Sequence, residues 1–417
     1  MPRRRTSLPE GFGTIWLAVA LDLVGFGIVL PILPLYAERF HAGPAGVGLL
    51  VASFSFAQFV FSPVWGRVSD RVGRKPVLVL SLAGTAVGSL ITGLAWSLPL
   101  LFVGRIVDGI SGASVSVAQA AVTDLAPPSD RPRLLGLLGA AFGLGFVAGP
   151  AIGALAALGG PHLPFLVAAA IAGINAIVAA VRLPETRHPN PAELSHPRDK
   201  PPPRGGAQKR ANDLRARAAV LPGLLVVAFT SLVAFSAFET TFALFGERRL
   251  GLRLASTGAV FTVIGILIAL VNAGVVHRVV ARMGEAATLR AGLVLNACGL
   301  AVMPFVHSWL ALAPALLFLT LGQGLVTPTL AATVAGRVPD DQRGAALGAQ
   351  QSAGGLARIV GPVLGGLAFE RIGVGAPYVG GVLLLGVAAA LVSTASGSDD
   401  EATPRRRRRT TPTPSTR

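Results

Sequence analysis

Five charged side chains stand inside long apolar stretches of the sequence: Asp22, Arg105, Asp108, Glu239 and Arg358. A charge in hydrocarbon is costly, so it usually moves a proton, an ion or a solute, or pairs with an opposite charge. Arg105 and Asp108 are three residues apart and share a helix face. If Arg105 pairs with one acid, the other favours its protonated form in a low-dielectric site. Asp22 is therefore the first candidate for a proton carrier, with a closed ion-pair network as the alternative for all five.

The sequence lacks the signatures of common enzyme and ATP sites. It contains no GxGxxG or GxxxxGK[ST] phosphate loop and no HExxH motif, and its six histidines are scattered over loops and helix ends. The lone Cys298 lies in an apolar stretch, which excludes an intramolecular disulfide. We therefore expect no enzyme activity, no cofactor and no bound metal, and we expect an ion gradient to supply the energy.

The elements that must position these charges are membrane helices. The chain of 417 residues is 52% hydrophobic and only 13% charged, with a mean hydropathy of +0.64. A spanning helix needs about 20 apolar residues, and twelve such runs are bounded by charges, Pro and Gly. They predict an all-α membrane protein with spans near residues 13–36, 46–65, 77–96, 99–122, 133–157, 163–183, 219–245, 256–276, 286–306, 309–335, 344–369 and 375–395.

The twelve runs divide into two sets of six. A shift of 212 residues superimposes Gly149-Pro150 on Gly361-Pro362 without a gap, which indicates two six-helix halves with the same membrane orientation. The sequence therefore predicts five segments: an N-terminal segment 1–12, a first half 13–183, a linker 184–218 rich in Pro, Gly and Arg, a second half 219–395, and a basic disordered tail 396–417.

The basic residues mark one side of the membrane. The net charge is +16, and most of the 36 Lys and Arg residues fall at the termini and in the even-numbered loops. By the positive-inside rule both termini are expected in the cytoplasm. This distribution accounts for the charge without nucleic-acid binding. We expect a monomer in the lipid of a cell membrane, and the preference for Arg over Lys suggests a bacterial source.

The segment between the second and third spans carries the most specific motif. It reads GRVSDRVGRKP and contains Gly66, Asp70, Arg71, Gly73, Arg74 and Lys75. A loop that serves only to fix the orientation of the chain in the membrane would explain the basic residues, but it would not explain the spacing of Gly and Asp. The segment resembles the signature loop of the major facilitator superfamily. That resemblance implies a twelve-helix transporter in which Asp70 meets the start of the eleventh helix and helps latch the cytoplasmic side.

The fifth span carries a second motif: Gly145, Gly149, Pro150 and Gly153. Small residues four apart let helices pack backbone to backbone, and proline bends a helix. The pattern resembles the motif that marks antiporters, particularly drug exporters, within the superfamily. Ordinary small-residue packing is the alternative.

The chain resembles tetracycline/proton antiporters and related twelve-helix drug exporters most closely, above all through residues 135–146, LGLLGAAFGLGF. Tetracycline exporters carry an acid, a His and an acid where this chain has Gly88, Ile268 and Asn296. These differences argue against tetracycline as the solute. The resemblance implies a proton-coupled exporter of hydrophobic or amphipathic small molecules that works by alternating access. The alternative is a proton-coupled or facilitative importer of a metabolite on the same fold.

A cavity between the halves should hold the solute. Aromatic and amide side chains suit a bulky amphipathic molecule better than a sugar. The candidates, each of which could instead face lipid, are Phe26, Gln58, Gln119, Phe238, Phe242, Asn272, Gln323 and Gln350.

Overall fold

The described part of the chain forms twelve membrane-length helices. The computed structural model describes residues 8–127, 130–186, 207–339 and 342–401, and no strand occurs within these ranges. The predicted fold class is confirmed. The twelve helices are α1 (Phe12–Glu38), α2 (Pro44–Val72), α3 (Arg74–Gly93), α4 (Leu98–Leu125), α5 (Arg133–Ala157), α6 (Leu163–Arg182), α7 (Leu221–Leu250), α8 (Leu254–Met283), α9 (Glu285–Phe305), α10 (Trp309–Gly336), α11 (Arg343–Arg371) and α12 (Ala376–Ser393).

Several predicted boundaries differ from the structure. The helix that contains α7 begins at Ala207, inside the predicted linker, and the helix that contains α12 continues to Glu401, inside the predicted tail. Most of the predicted linker, the first seven residues and the basic run of the tail lie outside the described residues. Most of the predicted loop from Gly66 to Pro76 is helical, because α2 continues to Val72 and α3 begins at Arg74. Gly73 alone joins them, with φ 111°, a conformation that favours glycine.

The helices pack as two halves. In the first half α1 lies against α5 and α6, and α3 lies against α4 and α6. In the second half α7 lies against α11 and α12, and α9 lies against α10 and α12. The same relations recur, as the internal repeat predicts. Between the halves α2 packs on α11 and α5 packs on α8.

Small residues bring the two halves into contact at one end of the bundle. A Cβ on Gly258 of α8 would lie 3.0 Å from the Cβ of Ala154 on α5, and a Cβ on Gly48 would collide with the carbonyl of Pro362 on α11. At the same end the backbone N–H of Ala45 donates to Glu370 over 2.8 Å. We call this end, where α2 begins and α11 finishes, the closed end.

The opposite end, where Gly73 joins α2 to α3, is open between the halves. Gly136 and Gly139 of α5 and Gly344 and Gly348 of α11 are exposed there, and a Cβ on any of them would meet nothing within 4 Å. At these positions α5 and α11 lack the close approach to the other half that Ala154 and Pro362 make at the closed end. The halves are therefore in closer contact at the closed end than at this end, which we call the open end.

Candidate functional site

Asp22 lies beside a break in α4. The helix is regular from Leu98 to Ser111 and from Ser114 to Leu125, with an irregular link between. The hydroxyl of Ser114 donates to Asp22 Oδ2 over 2.5 Å. Asp22 is half-buried about ten residues into α1, or roughly 15 Å from its start. It thus stands deep in the membrane beside a hydroxyl and without a basic partner among the described residues.

The break in α4 is held open by side chains from α2 and α3. Gln58 Nε2 donates to the carbonyl of Gly112 over 2.8 Å, and Trp65 Nε1 donates to the carbonyl of Ile110 over 2.6 Å. The hydroxyl of Ser81 donates to the carbonyl of Ser111. Backbone groups freed in a membrane helix must be satisfied in this way. Ser81 and Ser114 were not predicted from the sequence; Gly112, a weak helix former inside an apolar run, was the available signal for the break.

Arg105 and Asp108 form the pair that their spacing favours. Arg105 Nη1 lies 2.6 Å from Asp108 Oδ2, and both side chains are buried. The guanidinium also lies 4.4 Å from the ring centroid of Phe54, a distance typical of a cation–π contact. Phe54 in turn packs on Phe26 with ring centroids 5.6 Å apart. Asp108 therefore neutralises Arg105, and Asp22 is an intramembrane acid outside that pair.

Glu239 and Arg358 occupy the second half. Glu239 of α7 is half-buried, and Arg358, near the middle of α11, is exposed. The charge of each acts on the other, but the two form no ion pair in the described part of the chain. The structure thus brings these predicted residues near one another without joining them.

The predicted cavity residues separate into two groups. Phe26, Gln58, Gln119 and Gln350 are half-buried, and Asn272 is exposed within a π-helical turn, Val271–Val275, of α8. Such turns are often found at functional sites.

Phe238, Phe242 and Gln323 do not line a cavity in this conformation. Phe238 and Phe242 are 1% and 0% exposed and pack against each other with centroids 5.2 Å apart. Gln323 accepts a hydrogen bond from Asn296 over 2.9 Å in the contact between α9 and α10. All three lie on helices with long apolar runs, in which sequence alone does not reveal the cavity face.

The motif at the junction of α2 and α3 is organised by Arg74. This buried guanidinium lies 2.8 Å from Asp70 and 2.8 Å from Asp124 of α4, and it donates to Ser69 Oγ over 2.7 Å. Glu185, just after α6, accepts from the backbone N–H of Arg74 over 2.8 Å. The motif therefore ties α2, α3 and α4 to the segment that follows α6.

Gly66 is inside α2 with open space around it, and Gly73 alone lies between α2 and α3. Asp70 lies 2.8 Å from Arg74 of the same motif; its contact with the start of α11 stays a prediction. Asp124 and Glu185 were missed, although each is an acid at a helix end on the same side as the basic motif.

The glycine motif of α5 packs this helix on α1. A Cβ on Gly145 would lie 2.7 Å from the Cβ of Leu23, and one on Gly153 would lie 2.9 Å from Ile32 Cδ1. The carbonyl of Pro150 faces Gly258 of α8 in the other half, where a Cβ would lie 3.1 Å from it. The motif thus serves the contact between the halves as well as the packing within one.

We expect Gly149→Val to abolish most transport. Its Cβ would lie 2.6 Å from the Cα of Gly27, so α5 and α1 must separate, at a cost of about 1–3 kcal/mol for overpacking. Dye transport by the purified, reconstituted protein is the measurement. Gly139→Val is the matched control, because the same change on the same helix meets nothing within 4 Å. Equal activity of the two variants would contradict this role of the close contact.

Comparisons with known proteins agree with the geometry. A family model described as Major Facilitator Superfamily matches residues 15–287 and 273–416. The tetracycline resistance protein, class E, of Escherichia coli is 32% identical over 353 residues, which cover 83% of this chain and 84% of that protein. Multidrug resistance protein 1 of Bacillus subtilis is 28% identical and covers 89% of this chain and 92% of its own length.

A solved structure is also similar. The human organic anion transporter MFSD10 superimposes with a TM-score of 0.66 at 26% identity, over 94% of this chain and all of that one.

Proposed function

The chain belongs to the Major Facilitator Superfamily, and on that basis we propose that it is a proton-coupled exporter of hydrophobic or amphipathic small molecules. The similarity to tetracycline and multidrug resistance proteins over more than four fifths of the chain supports export of drug-like solutes. The organic anion transporter broadens the range of solutes found on this architecture. The chain is a multi-pass membrane transporter with twelve candidate spans.

One observation carries the coupling proposal: Asp22 is deep in the membrane, hydrogen-bonded to Ser114, and outside the Arg105 and Asp108 pair. A carboxyl in such a site can take up and release a proton as the access side changes. The break in α4 places the Ser114 hydroxyl beside it. Proton transfer at Asp22 would then alter the contact between α1 and α4.

The open end faces the cytoplasm in this proposal. The basic residues of the segment from Gly66 to Pro76 lie at that end, and the positive-inside rule assigns them to the cytoplasm. Both termini then lie on the same side. The protein would act as a monomer in the inner membrane of a bacterium, and the structure would represent its inward-open state.

Rocking of one half against the other would convert the inward-open state into an outward-open one. The closed end would separate at the contact of α2 with α11, where Glu370 accepts from Ala45, and at the contact of α1 with α7, where Arg248 lies 3.7 Å from Glu38. The glycine contact of α5 with α1 would keep the first half rigid during the motion.

Everted membrane vesicles from a host without its own drug pumps test the proposal. An exporter should load a fluorescent dye into these vesicles only when their interior is acid, and a protonophore should stop the loading. Loading that needs no proton gradient would contradict coupling. Uptake by right-side-out vesicles with an acid exterior, and none by everted vesicles, would favour the importer.

A further inference from the structure

Arg358 is a base in the middle of the membrane without a contacting partner. It lies fifteen residues from the start and thirteen from the end of α11, or about 20 Å from either end. Its side chain makes no hydrogen bond or ion pair within the described part of the chain, and the residue is exposed. At membrane depth, a guanidinium is stable only when water, an anion or several acceptors satisfy it. The guanidinium of Arg358 is therefore suited to binding an anionic ligand.

The direction of Arg358 follows from its neighbours along α11. Gly354 and Gly361, four before and three after it, face Leu232 and Val233 of α7, whereas Gly355 faces Phe59 of α2. Residues three or four apart share a helix face. Arg358 therefore points between α7 and α2, which belong to different halves. Its exposed surface lies in the space between the halves and not toward lipid.

The same face of α11 connects Arg358 to the open end. Gln351, two turns before it, is exposed, and so are Gly344 and Gly348. Two and three turns after it, Gly365 and Phe369 are buried in the closed end. Arg358 thus stands where the open space ends, which is where a solute entering from the open side would stop.

The two intramembrane bases differ in their surroundings. Arg105 is neutralised by Asp108 at 2.6 Å and covered by Phe54. Arg358 is influenced, among the described residues, by the charge of Glu239, which does not contact it. Phe59, which is 43% exposed, lies over the turn of α11 just before Arg358. A free guanidinium beside an exposed aromatic ring is suited to an aromatic acid.

We propose that Arg358 is the binding residue for the acidic group of an amphipathic organic acid, with Phe59 packing on the aromatic body of that solute. A guanidinium binds a carboxylate or sulfonate through two parallel hydrogen bonds. Glu239 balances Arg358 when the cavity is empty and competes with the solute for it. The inference rests on the proposed transport function and specifies one class of its solutes.

Two xanthene dyes of opposite charge provide the test: anionic fluorescein and cationic rhodamine 6G. Their affinities are measured by fluorescence anisotropy on the purified full-length protein. Arg358→Gln should weaken fluorescein binding about tenfold or more, since it removes a charge-assisted bidentate contact, and should leave rhodamine 6G within about twofold. Glu239→Gln should strengthen fluorescein binding, because it removes the competing carboxylate. Arg371→Gln, the same change at the exposed end of α11, should alter neither.

The proposal is overturned if wild-type protein does not bind fluorescein, or if Arg358→Gln weakens both dyes equally or neither. If Arg358→Gln does not fold, Arg358→Lys provides the test. Lysine keeps the charge without the bidentate geometry, so this variant should have weaker affinity for fluorescein and unchanged affinity for rhodamine 6G. Dye transport driven by a proton gradient is measured separately in liposomes. Wild-type protein that binds fluorescein through Arg358 but transports neither dye would contradict the proposed export and leave the binding site standing.

Discussion

Asp22→Asn should abolish proton-driven dye transport while leaving dye binding within about twofold of the wild type. The amide is close in size to the carboxyl and can still accept from Ser114, so the break in α4 should persist. It cannot release or take up a proton, so the two access states no longer differ in protonation. Initial rates of dye loading in everted vesicles with an acid interior measure the effect, which should bring the rate to the level of vesicles without the protein.

Two further variants separate proton transfer from packing. Asp22→Glu keeps a titratable group and should retain part of the transport. Asp108→Asn removes the buried acid that pairs with Arg105, so it should lower protein stability as well as activity. Normal proton-driven transport by Asp22→Asn would refute the assignment of Asp22 as the proton carrier. Exchange of dye across the membrane without a gradient should survive in that variant.

The fold could be predicted because hydrocarbon imposes simple constraints. About 20 apolar residues per span and a repeat at 212 residues were enough to define twelve helices and two halves. The repeat also has a physical meaning in the structure. Gly149 packs on Gly27 of α1, and its counterpart Gly361 packs on Val233 of α7, so both halves use the same close contact between their first and fifth helices.

Side-chain direction could be predicted only where spacing constrained it. Arg105 and Asp108 pair because they are three residues apart on one helix. Phe238 and Phe242 face the core and not the cavity, because α7 is apolar around most of its surface and no periodicity marks its inner side. Asp124 and Glu185 were missed since their partner, Arg74, is distant in sequence. The open and closed ends depend on the arrangement of the halves, which no local pattern encodes.

Arg74→Gln should slow transport about tenfold or more and leave dye affinity within about twofold. The buried guanidinium joins Asp70 of α2 to Asp124 of α4, and it lies at the open end, far from Asp22 and Arg358. Its loss removes a 2.8 Å contact from each of these two carboxylates. The cost should be about 1–3 kcal/mol, less than for a fully buried pair, because Asp70 and Asp124 are partly exposed. A loss of that size in one conformational state changes a rate about tenfold for each 1.4 kcal/mol.

Glu285→Gln is the matched control in the second half. A shift of 211 residues places Glu285 on Arg74, and Gly284, with φ 79°, joins α8 to α9 as Gly73 joins α2 to α3. The hydroxyl of Thr333 donates to Glu285 over 3.4 Å, a distance at the limit of a hydrogen bond. Glu285→Gln should therefore alter the transport rate less than twofold. If both variants slow transport equally, the two halves contribute alike to gating. If only Arg74→Gln does so, gating at the open end depends on the first half, where the buried Arg74 ties α2 to α4.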